Sequence, residues 1–224
     1  MKNIKIVTLF GILSLVTGPS LQAQKKVSEL TLVYDYSVVT AGSEGEKKSG
    51  DLPGALHTVY IKGSKSRSEM TDSLFSSTTL FDASTGSAVI LKEVSGQKLL
   101  IRMSPANWLE RNNPYDGIVY KNTTEGKEIA GYKCIKAIGK TKTGTTITVW
   151  YTKDVIPENR DYAPEFRSLE GLPLEYTLTK GNMEIRYKMA RLNFNPVPAS
   201  KFDIPGTGYR ELKYEEIGKA NIGG

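Results

Sequence analysis

Apolar and polar residues alternate along much of this chain with a two-residue period. That period is typical of β-strands with one face buried and the other in water. Two runs show it best, and their apolar faces consist of Leu30, Leu32, Tyr34, Tyr36 and Val38 in the first and of Met183, Ile185, Tyr187 and Met189 in the second. The pattern predicts half-buried strands of an antiparallel sheet.

Glycine-containing turns separate about ten such strands. Gly181-Asn182 is a two-residue hairpin signal that requires positive φ, and the polar stretch 139–144 predicts a longer hairpin turn. After Arg191 the apolar positions change parity, which predicts a β-bulge. Because a sheet of this size usually curls or splits, we predict a mainly β fold with a few short helices, built as one curved antiparallel sheet in a half-open barrel.

One short helix is expected where the strand pattern stops. Ser104 can accept a hydrogen bond from a first-turn amide, and Pro105 suits the first helical position, where no donor is lost. The sequence Asn112-Asn113-Pro114 should end the helix after two turns. Trp108 is expected to pack this helix onto the sheet, and the alternative is that it stacks on a ligand.

The first 23 residues have the three-part pattern of a secretory signal peptide. Lys2 and Lys5 precede an apolar run at 6–16, and Ala23 stands before the expected cleavage site. The apolar run is too short to span a bilayer, and no later run is long enough. We therefore predict an exported protein without a transmembrane segment after cleavage, periplasmic or alternatively secreted, with one domain at 24–209 and a polar tail at 210–224.

Charge and cysteine content narrow the functional classes. The chain has 30 basic and 24 acidic residues, and the signal region holds two of the basic ones, so the remainder carries a formal charge of +4. A charge this modest on an exported chain argues against a nucleic-acid partner. Cys134 is the single cysteine, which excludes an intramolecular disulfide and favours a role in core packing.

The sequence contains no recognisable catalytic group, and we predict no catalytic residues, metal or cofactor. His57 is the single histidine and lies in a predicted strand, so it is expected to be structural or at the surface. One histidine and one cysteine cannot form an ordinary zinc site. Gly139-Lys140-Thr141 matches the end of a phosphate-binding loop, but Cys134 occupies the position of its first glycine.

Four short motifs in a fixed order resemble exported bacterial proteins of the GLPGLI type and their relatives. They are Ile129–Cys134, Thr148–Thr152, Gly171-Leu172-Pro173, and Ser200–Pro205 followed by Gly208-Tyr209. The chain departs from the type after the proline, where it has Leu174-Glu175-Tyr176 instead of Gly-Leu-Ile, which indicates a relative. This resemblance implies a lipoprotein-carrier (LolA-like) fold, an unclosed antiparallel half-barrel covered by helices, and it supplies no catalytic residues.

The first functional hypothesis is a non-enzymatic cell-envelope protein that binds a lipid, an acyl chain, a lipoprotein or another apolar partner on its concave face. Methionine and tyrosine suit a surface that accepts variable apolar shapes. The candidate lining residues are Val149, Tyr151, Tyr176, Leu178, Met183, Ile185, Tyr187 and Met189. The same stripe would be ordinary core if other elements cover it.

Two alternatives remain open. The protein could be a structural or protein-interaction module of the envelope or secreted space, with edge strands or the tail as contacts. It could instead be a hydrolase that uses scattered serine, aspartate and lysine side chains, for which His57 and Cys134 would be the first residues to test.

Overall fold

The computed structural model describes residues 24–40, 55–72, 75–94 and 96–216. The predicted signal peptide and the end of the predicted tail, residues 217–224, lie outside the described residues.

Strands make up most of the described chain. They are β1 (Lys25–Val27), β2 (Glu29–Thr40), β3 (Leu56–Lys62), β4 (Lys65–Thr71), β5 (Phe75–Asp82), β6 (Ser87–Val94), β7 (Gln97–Met103), β8 (Lys121–Ile129), β9 (Tyr132–Lys140), β10 (Thr146–Thr152), β11 (Val155–Pro157), β12 (Leu172–Lys180), β13 (Met183–Asn193) and β14 (Arg210–Leu212). The helical elements are α1 (Pro105–Asn112) and short 3-10 helices at Asn113–Tyr115, Arg160–Tyr162, Pro164–Phe166, Ala199–Phe202 and Tyr214–Glu216.

Twelve of the described strands form one curved sheet that does not close, in the order β14-β7-β6-β5-β4-β3-β2-β13-β12-β10-β9-β8. This confirms the predicted mainly β, half-open architecture. The expected number of about ten is slightly low, and β14 has only three residues, too few for alternation to be recognised. It pairs with β7 in parallel, and β1 pairs in parallel with β11 in a separate two-stranded sheet.

The strand pairing β2–β13 joins the two halves of the sheet. Its register shifts between Met189 and Arg191, which confirms the bulge predicted from the change of parity. Beyond the bulge, Leu192 lies opposite Leu32. The bulge adds one residue to the strand. Apolar side chains before the bulge and after it therefore both point towards the core.

The largest hydrophobic core lies on the inner face of the sheet, where β2, β3, β9, β10, β12 and β13 are covered by the connection 155–171. This connection is held closely against the sheet. Gly171 approaches the Thr152 carbonyl so closely that a Cβ atom there would be 2.0 Å from the oxygen, so only glycine fits. The Tyr34 hydroxyl donates a 2.8 Å hydrogen bond to the Pro173 carbonyl, and the Asn159 amide donates one of 2.9 Å to the Ser64 carbonyl.

The helix α1 begins as the sequence predicts. The Ser104 side chain accepts a hydrogen bond from the Asn107 amide, and Pro105 occupies the first turn. Trp108 is buried and stacks on Phe81 with 4.7 Å between ring centroids, which confirms its predicted packing role. The helix thereby covers β5, β6 and β7 on the inner face. None of the helices in the described residues is both long enough and apolar enough to span a membrane.

Candidate ligand site on the inner face of the sheet

A cavity of about 390 Å³ lies between the sheet and the elements that cover its inner face. The strands β3, β4 and β5 form one side, β12 and β13 form another, and α1 with the connection forms the cover. Its lining consists of His57, Val59, Ser68, Met70, Thr79, Trp108, Arg111, Asn112, Tyr115, Tyr162, Ala163, Pro164, Glu165, Tyr176, Leu178 and Tyr187. Strands β5 and β12 are five places apart in the sheet order, so a shared cavity requires the sheet to be concave here.

Strand register places these side chains on the same face. His57 lies opposite Met70, and Tyr176 lies opposite Tyr187. Residues directly opposite each other in an antiparallel pair project to the same side, and each strand repeats this every second residue. The cavity floor is therefore formed by alternate residues of strands that are distant in the sequence.

Aromatic rings form a packed group beside the cavity. The Tyr176 and Tyr187 rings stack with centroids 4.3 Å apart, and the edge of Phe166 meets Tyr176 at 4.8 Å. His57 meets Tyr187 at 5.5 Å in an edge-to-face arrangement. Such contacts fix ring orientations, so this part of the lining is formed before a ligand arrives.

His57 is held in its neutral form. Burial lowers its pKa to about 4, because the charged imidazolium would lose its hydration. Its Nε2 lies 2.8 Å from the Ser68 hydroxyl, and its Nδ1 lies 3.3 Å from the Tyr176 hydroxyl. The structure therefore places His57 in the cavity wall, in agreement with the structural alternative of the sequence prediction.

Glu165 is the acidic residue that borders this cavity, and burial raises the pKa of its carboxyl. By its accessible surface the residue is half-buried. The pKa values of the surrounding tyrosines are raised mainly by burial and further by the negative charge of Glu165. These tyrosines are Tyr34, Tyr115, Tyr120, Tyr162, Tyr176 and Tyr187. The carboxyl thus lies among phenol groups in a poorly hydrated setting.

Two residues of the cavity wall contain buried polar atoms that lack a hydrogen-bond partner among the described residues. They are Nε1 of Trp108 and the hydroxyl of Tyr162. A buried donor without an acceptor costs about 1–3 kcal/mol, and such atoms are uncommon in native proteins. Both residues border the cavity.

A second cavity of about 360 Å³ lies next to α1 and is bordered by Leu109, Asp116 and Ile118. It shares Trp108, Asn112, Tyr115 and Pro164 with the first cavity. The shared residues come from α1, the 3-10 helix that follows it and the connection. Movement of these covering elements would therefore change both spaces together.

The predicted lining residues divide into three groups. Tyr176, Leu178 and Tyr187 line the cavity. Val149, Tyr151 and Met189 are buried in the largest core, where they contact neighbouring side chains instead of the cavity. Ile185 is half-buried against that core, and Met183 near the hairpin turn is 41% exposed.

The pair Ser68–His57 has the spacing of a nucleophile and its base, but its surroundings do not suit acyl transfer. A general base works best with a pKa near the operating pH, and burial holds the pKa of His57 at about 4. Ser68 lies inside β4, where its neighbours' amides are engaged in the sheet and cannot form an oxyanion hole. The described residues also contain no group of three or more histidine, cysteine, aspartate or glutamate side chains that could hold a metal ion.

Cys134 lies in β9 and is buried in the largest core, which confirms the packing role expected from the sequence. Burial raises the pKa of its thiol to about 11, so the reactive thiolate form is disfavoured. The residue is separate from the cavity.

Sequence reasoning missed Glu165, Tyr162, Trp108 and Arg111 as members of one site. Their local signals are weak, because a proline-containing connection and a two-turn helix carry no strand-like alternation. Only the packing of these elements over the sheet brings them together.

Comparison with known proteins gives evidence on the fold alone. No family model matches the chain, and no curated protein matches it. Two crystal forms of PNGF-II are similar in structure. The first has a TM-score of 0.53, 13% identity and coverage of 86% of this chain and 33% of that chain. The second has a TM-score of 0.50, 14% identity and coverage of 84% and 32%.

The chain therefore spans about a third of the length of PNGF-II. A β-barrel-like protein of domain of unknown function DUF1849 from Brucella abortus is a more distant match. Its TM-score is 0.37 at 9% identity, with coverage of 76% of this chain and 99% of that chain. At these identities, the similarity to PNGF-II shows a shared strand arrangement and leaves the GLPGLI relationship a prediction.

Proposed function

We propose that this protein is a non-enzymatic, exported cell-envelope protein that holds a small amphipathic molecule, such as part of a lipid, in the inner-face cavity. The observation that carries the proposal is the cavity itself. Its volume of about 390 Å³ falls in the range of small-molecule sites. Its lining combines apolar and aromatic side chains with a few polar and charged side chains, which is the composition of a binding site.

The chemistry of the lining limits what such a ligand can be. Val59, Met70 and Leu178 offer apolar contacts, whereas Glu165 and Arg111 offer charge. A purely hydrocarbon ligand would leave these charged groups without partners, at a free-energy cost. A molecule with an apolar part and a polar head fits both kinds of lining. The resemblance to the lipoprotein-carrier fold agrees with this assignment, and export agrees with the predicted signal peptide.

Blocking the cavity from the floor tests the proposal. Thr79 projects into it from β5, so Thr79→Trp should fill part of the space without removing a core side chain. We expect the protein purified from a periplasmic extract to take up an uncharged fluorescent acylglycerol saturably and to release amphipathic molecules into organic solvent. Thr79→Trp should weaken the uptake at least tenfold, measured by fluorescence titration.

The matched control is Thr177→Trp, which introduces the same side chain in β12. Thr177 lies opposite Arg186, next to the cavity residue Tyr176 but on the other face of the sheet. This variant should take up the acylglycerol with an affinity within twofold of that of the unchanged protein. No uptake by the unchanged protein, or equal uptake by both tryptophan variants, would contradict the proposed function.

A further inference from the structure

The Glu165 side chain reaches the cavity from a backbone that is fixed on both sides. Phe166 beside it is buried and contacts the Tyr176 ring. The backbone carbonyl of Glu165 accepts a 2.8 Å hydrogen bond from the Tyr120 hydroxyl. The backbone of Glu165 is therefore held beside the cavity that this residue lines.

No basic side chain among the described residues forms an ion pair with Glu165. The nearby acid Glu170, in contrast, is exposed and pairs with Lys153 at 3.1 Å. Arg111 borders the same cavity but lies exposed on α1. A carboxylate that is partly removed from water without a cation is unfavourable, and either a proton or a positive charge from outside must compensate it.

The aromatic lining favours an external cation over a proton alone. Trp108, Tyr115, Tyr162, Tyr176 and Tyr187 border the cavity together with Glu165. Tyr176 and Tyr187 stack on each other, whereas Trp108 stacks on Phe81 alone and Tyr115 and Tyr162 take part in no ring stacking among the described residues. A free aromatic face carries negative partial charge and attracts organic ammonium groups, more strongly when water is excluded. His57 is neutral at physiological pH, since burial lowers its pKa to about 4, and so adds no competing positive charge.

From this arrangement we infer that the ligand of the cavity carries an organic ammonium group, which pairs with the Glu165 carboxylate and contacts the surrounding tyrosine and tryptophan rings. The apolar part of the ligand then lies against Val59, Met70 and Leu178. This inference rests on the proposed binding function and adds the charge class of the ligand to it.

Three probes that share an octyl chain separate the inference from the proposed function. They are octyltrimethylammonium, octanoate and octyl glucoside, each titrated calorimetrically below its micelle concentration. The full-length protein should bind octyltrimethylammonium at least tenfold more tightly than either of the others. Glu165→Gln keeps the shape of the side chain and removes its charge, so it should weaken octyltrimethylammonium binding at least tenfold and change octyl glucoside binding less than twofold.

Glu170→Gln is the control for net charge, because Glu170 belongs to the same connection but is exposed, and it should leave all three affinities within twofold. Glu165→Ala gives a second reading if the glutamine variant folds poorly, and it should show the same selective loss. Binding of octanoate or octyl glucoside as tight as that of the ammonium probe would overturn the inference and leave the proposed function standing. Binding of no probe would count against both.

Discussion

His57 lies in the cavity wall, and tertiary packing sets the protonation of its imidazole. Strand alternation puts its side chain on the inner face, where Ser68, Tyr176 and Tyr187 surround it. Each neighbour belongs to a different strand, and burial among them disfavours the charged imidazolium. The local sequence could indicate the face but not the neighbours.

The lowered pKa of His57 predicts a loss of stability in acid. Its folded value of about 4 lies below the ordinary value of 6.5, so the unfolded chain binds the proton first as the pH falls. The contribution of neutral His57 to the free energy of unfolding is fully present above pH 6.5. It should fall by roughly 2–3 kcal/mol by pH 4.5. Urea unfolding at pH 7 and pH 4.5 measures this fall.

His57→Asn provides the comparison, since asparagine can hydrogen-bond to Ser68 but does not titrate. Between the two pH values, the free energy of unfolding of the variant should fall by roughly 2–3 kcal/mol less than that of the unchanged protein. Equal losses in the two proteins would show that His57 is hydrated in the folded state.

At the scale of elements, α1 is a short helix whose position depends on its beginning and on one large side chain. Ser104 provides the cap, and Trp108 stacks on Phe81. A helix of two turns is marginal by itself, so tertiary contacts supply most of its stability. Because α1 contributes Trp108, Arg111 and Asn112 to the cavity, its stability also determines whether the cavity is covered.

Loss of the cap should therefore be measurable. In Ser104→Ala the Asn107 amide loses its acceptor, and we expect the free energy of unfolding to fall by about 1 kcal/mol. Ser104→Thr keeps a hydroxyl at this position, so the free energy of unfolding of this variant should fall by less than half that amount. Thermal and urea unfolding of both variants make the comparison, and an unchanged stability in the alanine variant would show that packing alone holds α1.

At the scale of the whole molecule, the open sheet leaves two edges. One edge is β8, which is mostly exposed and has a register irregularity between Asn122 and Gly126. Charged side chains and irregular pairing are the usual protection of an edge strand against association with another sheet. This arrangement gives no support to β8 as a protein-docking strand, the contact considered in the protein-interaction alternative.

Removing charge from that edge should promote self-association. The double variant Glu125→Val/Glu128→Val makes β8 more apolar and more β-prone, so we expect concentration-dependent dimers or larger species in light scattering after size exclusion. The control is Glu93→Val/Glu184→Val, which makes the same change in β6 and β13, two strands that are already paired on both sides in the sheet. Association of the control to the same extent would assign the effect to hydrophobicity alone.

The sequence by itself determined the local features of this protein. Alternation predicted the long strands, the parity change predicted the bulge beside Met189, and Ser104-Pro105 predicted the start of α1. It also indicated that Tyr176, Leu178 and Tyr187 share a face, and these three residues do line the cavity. These features follow from interactions between residues close in the chain, so a single sequence contains the information.

Only the tertiary structure decided which of the predicted faces is core and which borders a cavity. Val149 and Tyr176 lie opposite each other on one face and both belong to the largest core, yet only Tyr176 also borders the cavity. The same packing brings Glu165 among tyrosines from distant strands. Such neighbours depend on how a curved sheet and its cover meet in space, which no local periodicity encodes.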